Sequence, residues 1–317
     1  MDSLIYFKAL SDTTRIRLLN ILFNHELSVN EIVSLMDMGQ SRISRHLKIL
    51  TDAGLLGCRR DGIWAFYYVE PGGQGRKFID SIRYLFDDEQ LLHQDLLHAE
   101  TIIQERKLKA IQFFNRIASQ WDLLKKELLG SFDLNTVITN EISDSDIVVD
   151  LGCGTGELME RLQSTAQHVI GVDSSSNMLD QARNRFHSDK GKIDLRLGQL
   201  EHLPLKNSEA DCAVISMVLH HLSTPKSLIA EVSRVLRGKG SFIIVDFDKH
   251  NDEGMRKIYG DRWLGFSKDE ITEMLSSHGF ELKNFHSFKI QNQLALNLYK
   301  SELLSSHKDT KALRKAN

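Results

Sequence analysis

The sequence predicts an α/β protein with two folded parts: an N-terminal group of helices with one β-hairpin, and a C-terminal doubly wound, mostly parallel sheet. Three observations predict it. Apolar residues recur at helical spacing near the N-terminus, two strand-like runs then flank a short turn, and beyond position 145 short apolar strands alternate with helices. At 317 residues the chain is long enough to build two separate cores.

Composition excludes several protein classes. The hydrophobic fraction of 41% and charged fraction of 26% are typical of globular proteins, and the net charge of −3 means that any nucleic-acid contact requires a locally basic element. Cys58, Cys153 and Cys212 are far apart, which excludes a disulfide framework or a cysteine-rich zinc site. Without a signal-peptide pattern or an apolar run of about 20 residues, we expect a cytoplasmic protein with no membrane segment.

The N-terminal pattern predicts a helix-turn-helix. Residues 4–10 and 13–24 have helical periodicity, and Asp12 is placed to cap the second of these helices. Ser28 and Glu31 form a capping-box pattern for a third helix, which Gly39 ends before a fourth helix over 40–53. Two helices joined by a short glycine-containing turn are typical of this motif.

The fourth helix carries side chains suited to reading DNA. Ile43, Leu47 and Leu50 recur on its inner side, which leaves mainly polar and basic residues to face outward. Arginine can pair with guanine edges, glutamine with adenine, and serine or lysine can hold phosphates. An ordinary solvated helix face is the alternative. The predicted DNA-binding residues are Gln40, Ser41, Arg42, Ser44, Arg45, His46 and, from the following hairpin, Arg60.

A hairpin follows, because strand-like residues 56–60 and 63–69 flank Asp61-Gly62, a strong two-residue turn signal. Residues 1–85 resemble the arsenic-repressor (ArsR) type of winged helix-turn-helix regulators. The segments that carry the resemblance are FKALSDTTRIRLLNIL, SRISRHLKILTDAGLL and RRDGIWAFYYV. The resemblance implies a homodimer that binds double-stranded DNA at a palindromic operator.

Members of that family often sense metals, but the metal positions do not match here. Ser28 and Asn30 stand where metal-sensing relatives carry a Cys-x-Cys pair. His93, His98 and Glu100 do not have the spacing of the family's last-helix ligands, and a solvated helix face explains them. The sequence therefore predicts no metal site.

Residues 77–129 have an almost continuous helical pattern without proline, which predicts a stiff linker. The resemblance to the repressors implies that this segment also takes part in dimerisation. Its aromatic residues leave two alternatives open. Phe113, Phe114 and Trp121 either pack onto the second domain or cover a ligand pocket there.

The second part opens with a glycine-rich loop between a strand and a helix. Residues 147–149 predict a buried strand, Asp150 stands at its end, and Gly152, Gly154 and Gly156 read G-x-G-x-G. Dinucleotide loops read G-x-G-x-x-G, and no Lys-Ser/Thr follows as in a P-loop. A tight turn without a ligand is the alternative. The strand, loop and helix resemble the first motif of Rossmann-like S-adenosylmethionine-dependent methyltransferases.

Two further motifs extend this resemblance. Asp173 ends the next strand, 23 positions after Asp150, and a carboxylate there can accept hydrogen bonds from ribose hydroxyls. Gln199 stands where the family commonly has an aspartate that accepts from the adenine amino group, and its side-chain oxygen can still accept. The implied residues for S-adenosylmethionine or S-adenosylhomocysteine are Asp150, Gly152, Gly154, Gly156, Asp173, Ser174, Met178, Gln199, Leu200 and Ser216.

Catalytic candidates are fewer. His220 and His221 follow the fourth strand, where the methyl donor and a small-molecule methyl acceptor would meet, and either could act as a general base or simply pack. Asp246 lies in the region that builds the acceptor lid in this fold, and Trp263 there could shape a pocket or join the core.

These motifs divide the chain into four predicted segments. They are a winged helix-turn-helix domain (1–86), a helical linker and dimerisation segment (87–130), a methyltransferase-like domain (131–302) and a flexible tail (303–317). The combination predicts a transcriptional regulator with S-adenosylmethionine or S-adenosylhomocysteine as effector. The alternative is an active small-molecule methyltransferase with an autoregulatory winged helix. A DNA methyltransferase is disfavoured, because no Asn/Asp-Pro-Pro-Tyr/Phe segment is present.

Overall fold

The computed structural model describes residues 3–187 and 191–304. The chain divides into two compact units between Leu108 and Lys109, within the segment 87–130 that the sequence assigns to the linker. Residues 305–317 of the predicted tail lie outside the described residues. None of the described helices combines the length and apolarity needed to cross a membrane.

The first unit has helices packed beside a small antiparallel sheet. The sheet has the order β1-β3-β2. Its elements are α1 (Ser3–Ala9), α2 (Thr13–Asn24), β1 (Leu27–Ser28), α3 (Val29–Met36), α4 (Gln40–Asp52), β2 (Leu56–Asp61), β3 (Trp64–Val69), α5 (Gly73–Ile82) and α6 (Gln90–Ile117), which continues past the division.

Local hydrogen bonds explain where these helices begin. The Asp12 carboxylate accepts from the backbone N–H of Arg15 at the start of α2. Ser28 and Glu31 form the predicted capping box, in which each side chain accepts from the other residue's backbone N–H. The inner faces of α2 and α4 then meet through fully buried side chains such as Leu18, Ile43 and Leu47.

One prediction for this region was wrong, and the helical linker is divided into segments. Helix α5 ends at Ile82, a 3-10 helix follows over Arg83–Phe86, and α6 begins at Gln90. The acidic residues between them include two adjacent aspartates, which are weak helix formers. The hairpin turn is Gly62-Ile63 rather than Asp61-Gly62, because Asp61 pairs with Trp64 in the ladder and Gly62 takes the positive φ of 55° that the turn requires.

The second unit is a seven-stranded sheet between helices, with strand order β6-β5-β4-β7-β8-β10-β9. Its helices are α7 (Trp121–Leu129), α8 (Leu134–Thr139), α9 (Glu157–Leu162), α10 (Ser176–Arg185), α11 (Pro225–Val235), α12 (Gly254–Ile258) and α13 (Lys268–Ser277). Its strands are β4 (Ser145–Leu151), β5 (Ala166–Asp173), β6 (Ile193–Leu197), β7 (Ala210–Ser216), β8 (Leu236–Phe247), β9 (Phe280–Lys289) and β10 (Ala295–Leu303).

Topology places a crevice at one edge of this sheet. Strands β4 to β8 pair in parallel, whereas β10 is antiparallel to both of its neighbours. The chain builds outward from β4 through β5 on one side and through β7 on the other. In such sheets ligands bind beyond the carboxyl ends of the strands where the order reverses, here between β4 and β7. The predicted α/β fold class is confirmed.

Candidate functional site

The predicted DNA-reading residues of the first unit are mostly exposed. Arg42 and Arg45 lie on the solvent face of α4, and Arg60 is exposed on β2. Gln40, Ser41 and Ser44 share the exposed face of α4.

His46 is the exception, and its predicted outward position was wrong. The ring is buried, with Nδ1 3.8 Å from Oδ1 of Asp12. Position 46 belongs to the inner stripe of α4, because it lies three residues after Ile43 and four before Leu50.

In the second unit, the glycine loop adopts a conformation that favours glycine at three positions. Gly152, Gly154 and Gly156 have φ of 75°, 54° and 81°. A Cβ at Gly152 would lie 2.6 Å from Val218, and one at Gly156 would lie 2.6 Å from the ring of Phe186. Gly156 therefore serves helix packing, whereas Gly154 has more open space, 3.7 Å from Nε1 of Trp121.

A cleft of about 40 Å³ lies beside this loop, at the carboxyl ends of β4 and β7. Among the predicted cofactor residues, Asp150, Gly152, Gly154 and Ser216 line it. Trp121, one of the aromatic residues considered as a pocket cover, also lines it. The remaining lining residues were not predicted as ligand contacts and are Lys125, Cys153, Thr155, Glu157, Leu158, Met217 and Val218.

Two polar atoms in this cleft are buried and without a hydrogen-bond partner among the described residues: Oδ2 of Asp150 and Oγ of Ser216. Burial raises the pKa of Asp150 to about 7, although the Lys125 ammonium nearby favours the carboxylate. Since buried polar groups normally have partners, both atoms are suited to bind donors of a ligand. A cationic ligand group would satisfy the Asp150 carboxylate best.

Asp173 connects the second motif to the glycine loop. Its carboxylate accepts from the backbone N–H groups of Gly154 (2.9 Å) and Ser175 (2.8 Å). Burial raises the pKa of this carboxyl against those donors, which favour its charged form. The Met178 sulfur lies 4.0 Å from the Cβ position of Gly154. The predicted first and second motifs are therefore in contact.

The remaining predicted cofactor residues lie nearby but outside the cleft lining in the described chain. Ser174 is half-buried beside Asp173. Gln199 is exposed and Leu200 buried in the segment after β6, where the N–H of Gly198 donates to the Asp173 carbonyl at 3.0 Å. This places the third motif at the same sheet edge.

The segment before the sheet covers the loop, which answers the question left open for Trp121. Asp122 accepts hydrogen bonds from the hydroxyl of Thr155 and the guanidinium of Arg185. Upstream, the Asn115 side chain accepts from the Ser175 hydroxyl at 2.7 Å. No local signal in the helical pattern marks these polar contacts, because their partners are distant in the chain.

His220 and His221 form a buried pair in the turn after β7, with ring centroids 4.0 Å apart. Nδ1 of His220 lies 2.7 Å from Oδ1 of Asp246, which joins two of the predicted catalytic candidates. Nδ1 of His221 lies 3.4 Å from the Gly260 carbonyl, and its Nε2 has no hydrogen-bond partner among the described residues.

The charges around this pair act differently on the two rings. Burial favours a neutral His220, but the carboxylates of Asp246 and Asp261 outweigh it and raise its pKa to about 9. Burial and the neighbouring His220 charge lower the pKa of His221 well below its usual value. Burial raises the pKa of Asp261 to about 6. Sequence reasoning missed Asp261 as a site residue, because it stands some forty positions from the histidines.

Trp263 joins the core rather than lining an open pocket. Its indole is fully buried, and its Nε1–H donates to the Leu222 carbonyl at 2.8 Å. The backbone N–H groups of Arg262 and Trp263 both donate to the His220 carbonyl. These bonds hold the segment around Asp261 against the histidine turn.

Comparison with known proteins supports both parts of the chain. Residues 12–56 match the model of the bacterial regulatory protein, arsR family, and residues 149–244 match a methyltransferase domain model. The chain therefore combines an arsR-family helix-turn-helix with a methyltransferase domain, as the motifs predicted.

Curated relatives cover parts of the chain. A demethylmenaquinone methyltransferase of Leptospira interrogans is 33% identical over 158 residues, which are 46% of this chain and 63% of that protein. An uncharacterized 37.1 kDa protein in transposon TN4556 of Streptomyces fradiae is 37% identical over 103 residues, 32% of this chain and 30% of that protein. The chain thus spans less than two thirds of the length of either relative.

A solved structure supports the fold. The methyltransferase in a complex with the Haloferax volcanii Trm112 methyltransferase activator has a TM-score of 0.53 and 17% identity, covering 61% of this chain and 97% of that one. At this identity the likeness concerns the fold alone.

Proposed function

We propose that this chain, in which an arsR-family helix-turn-helix is joined to a methyltransferase domain, is a DNA-binding transcriptional regulator with S-adenosylmethionine or S-adenosylhomocysteine as effector. In this proposal α4 enters the major groove, with Arg42 and Arg45 at base edges and phosphates. The protein acts as a homodimer on a palindromic operator, since two copies related by a two-fold axis present two such helices.

The observation that carries the ligand half of the proposal is the unpaired Oδ2 of Asp150 beside the glycine loop. Both candidate ligands have a cationic ammonium group at their methionine end, and the attraction between such a group and a carboxylate is stronger where water is excluded. Ser216 Oγ is a second acceptor in the same cleft, and the Asp173 carboxylate can accept hydrogen bonds from ribose hydroxyls.

The cleft volume of about 40 Å³ accommodates about one water molecule. We therefore infer that a nucleoside ligand displaces Trp121 and the start of α7, which cover the loop. The Asp122 bonds to Thr155 and Arg185 hold this cover in the described conformation.

Helix α6 provides the coupling in this proposal, because it is bonded at both ends. Near its C-terminal end, Asn115 holds Ser175 beside the second motif. Near its N-terminal end, Asp95 binds the guanidinium of Arg17 on α2 through two contacts of 2.7 Å. Farther along α6, Arg106 binds the capping-box residue Glu31 at 2.8 Å. A ligand that shifts Asn115 therefore acts on the helix that holds the DNA-binding core.

Operator binding tests the proposal. Full-length protein is titrated onto DNA from upstream of its own gene at fixed salt, with S-adenosylmethionine or S-adenosylhomocysteine added separately. We expect at least one ligand to change operator affinity by fivefold or more, the range of about 1 kcal/mol or above that allosteric coupling usually has. Unchanged affinity, with ligand binding verified by calorimetry, would contradict the effector role.

An active small-molecule methyltransferase is the second candidate, and the free Nε2 of His221 favours it. The bound donor would supply an activated methyl group, and the protein's task is to align the acceptor and remove its proton. Turnover should then fall on His221→Gln while ligand affinity persists. The matched control is His168→Gln, an exposed histidine on β5. Equal loss in both variants would argue against His221 as the base.

A further inference from the structure

We propose that His220, His221 and Asp261 bind one divalent transition-metal ion of the zinc class. One ring nitrogen of each histidine and one carboxylate oxygen of Asp261 all lie within 4.8 Å of one another. Nε2 of His220 is 3.6 Å from Oδ1 of Asp261. Ligand atoms about 2.0–2.1 Å from a tetrahedral zinc are about 3.4 Å apart, so one ion can bridge this set after small movements.

The ligand set contains atoms that need a partner. Both carboxylate oxygens of Asp261 are buried, and neither has a hydrogen-bond partner among the described residues. The nitrogen of His221 nearest to this carboxylate is Nδ1, 3.9 Å from Oδ1 of Asp261. The Asp261 side chain has no exposed surface. Burying such an oxygen pair without compensation is costly, and a cation between it and the imidazoles would remove that cost.

Asp246 completes the arrangement from the opposite side of His220. Its Oδ1 lies 2.7 Å from Nδ1 of His220, and it also accepts from the backbone N–H of Phe247 at 2.8 Å. A carboxylate on one imidazole nitrogen places the proton there and directs the other nitrogen to a metal. Asp246 is therefore a positioning residue for the ion rather than a ligand.

The surroundings hold the ligands in place before metal arrives. The Arg262 and Trp263 backbone N–H groups donate to the His220 carbonyl, which ties the Asp261 segment to the histidine turn. Phe247 and Phe114 pack against the two rings at centroid distances of 5.1 and 4.8 Å. Two imidazoles and one carboxylate are ligands that zinc prefers, and three protein ligands leave a fourth position for water or a substrate.

A protonated His220 between two carboxylates is the competing explanation for the cluster. It accounts for the contact with Asp246. The distance of 3.6 Å between Nε2 of His220 and Oδ1 of Asp261, however, is too long for a hydrogen bond. It also leaves both carboxylate oxygens of Asp261 without a hydrogen bond. The metal explanation accounts for all three groups. It makes His221 a ligand, so His221 cannot at the same time act as a general base through the ligating nitrogen.

Metal titration tests the proposal on untagged full-length protein stripped with a chelator. Zn²⁺ is added against a chromophoric competitor, and Co²⁺ is added separately to record its visible ligand-field spectrum. We expect one equivalent of tight Zn²⁺ and an intense tetrahedral Co²⁺ spectrum. Asp261→Asn and His221→Gln should each lose the tight equivalent, and Asp246→Asn should weaken it about 10- to 100-fold. His168→Gln is the matched control on β5 and should bind like the wild type.

Equal Zn²⁺ affinity of wild type, Asp261→Asn and His221→Gln would overturn the metal site. Circular dichroism and thermal unfolding of each metal-free variant separate lost ligands from lost folding. Asp150→Asn separates this proposal from the proposed function: it should lose affinity for S-adenosylhomocysteine and keep the tight Zn²⁺. A protein that fails to bind S-adenosylhomocysteine but binds one Zn²⁺ would overturn only the effector proposal.

Discussion

At Asp150, the burial of a carboxyl group without a hydrogen-bond partner destabilises the fold but provides an acceptor for a ligand. The Asp150 carboxylate lies one residue before the end of β4 and lines the cleft, and Oδ2 has no hydrogen-bond partner in the described chain. Burial raises its pKa to about 7, so this carboxyl changes between its protonated and ionised forms around neutral pH. A cationic ligand group would keep the carboxylate ionised.

The pH dependence of stability should report this group. An unfolded aspartate titrates near 3.9, so the folded state binds the proton more tightly and loses stability as pH rises from about 4 to 7. Above pH 7 the loss is complete. Between pH 5 and 8 we expect the free energy of unfolding to fall by roughly 2–3 kcal/mol more in the wild type than in Asp150→Asn.

Chemical denaturation at both pH values measures this difference. Asp146→Asn is the control, because Asp146 is an exposed carboxylate on the same strand and should behave as the wild type does. Identical pH profiles for wild type and Asp150→Asn would show that Asp150 ionises normally.

Gly152 should be more sensitive to a methyl group than an ordinary loop glycine. Its φ of 75° disfavours L-residues, and a Cβ there would lie 2.6 Å from Val218. We expect Gly152→Ala to lower the free energy of unfolding by about 1–3 kcal/mol. Gly238→Ala, at a glycine whose Cβ would meet nothing within 4 Å, should change it by less than about 0.5 kcal/mol. The double variant Gly152→Ala with Val218→Ala should regain the part of the unfolding free energy that the contact with Val218 costs. Thermal or denaturant unfolding of the wild type and the three variants measures these differences.

At the residue scale, the sequence indicated which residues lie together where the deciding contacts connect neighbouring strands. The glycine loop follows β4, and Asp173 ends the neighbouring strand β5, so the two lie at the same edge of the sheet. The hydrogen bond from the Gly154 N–H to the Asp173 carboxylate shows this contact. Asp261 was not predicted as a site residue, because only the folded chain brings it to His220. His46 was predicted to face outward because it is polar, but its spacing from Ile43 and Leu50 places it on the buried side of α4.

At the scale of elements, helix starts were predictable because their signals are a few residues long. The capping box at Ser28 is present as predicted, and the structure has a second one at Ser267, where α13 begins. Strand limits are harder to predict: β8 begins at Leu236, and its first residues include two glycines and pair with β7 across a register shift.

Helix α4 carries the prediction on DNA binding. Arg45→Ala should weaken operator affinity by about 1–3 kcal/mol, roughly tenfold to a hundredfold, because an exposed arginine that contacts bases or phosphates is lost. Fluorescence anisotropy with a labelled operator at several salt concentrations measures it. Arg183→Ala, at an exposed arginine on α10, is the control and should bind normally.

The variant His46→Gln distinguishes a residue of α4 that stabilises the fold from one that contacts DNA. Since His46 is buried, its loss should lower the unfolding midpoint and leave the operator affinity of the folded fraction unchanged. A fall in affinity equal to that of Arg45→Ala would mean that the two residues share one role.

At the scale of the whole molecule, each unit has its own core, and α6 is the element common to both. One core gathers around Leu18, Ile43 and Leu47, and the other around Val148, Val214 and Ile243. The sequence predicted two domains because the hydrophobic pattern changes from helical to alternating strand and helix. It could not place the division at Leu108, since no composition change marks a point within a helix.

Reciprocity is the whole-molecule prediction. If S-adenosylhomocysteine changes operator affinity by some factor, saturating operator must change S-adenosylhomocysteine affinity by the same factor, because the two couplings are one free energy. Calorimetric titration of the ligand with and without operator measures the second factor. Unequal factors would show that the ligand effect on DNA is not an equilibrium coupling and arises from a side process such as aggregation.

The length of α6 has a mechanical consequence. Its 28 residues contain no proline or glycine, and an α-helix of this length is about 42 Å long at 1.5 Å per residue. In the proposed regulator, a displacement at Asn115 reaches Arg106 and Asp95 only to the extent that the turns between them stay hydrogen-bonded. The proposed coupling therefore depends on the continuity of this helix, and a break in its backbone hydrogen bonds would uncouple effector binding from DNA binding.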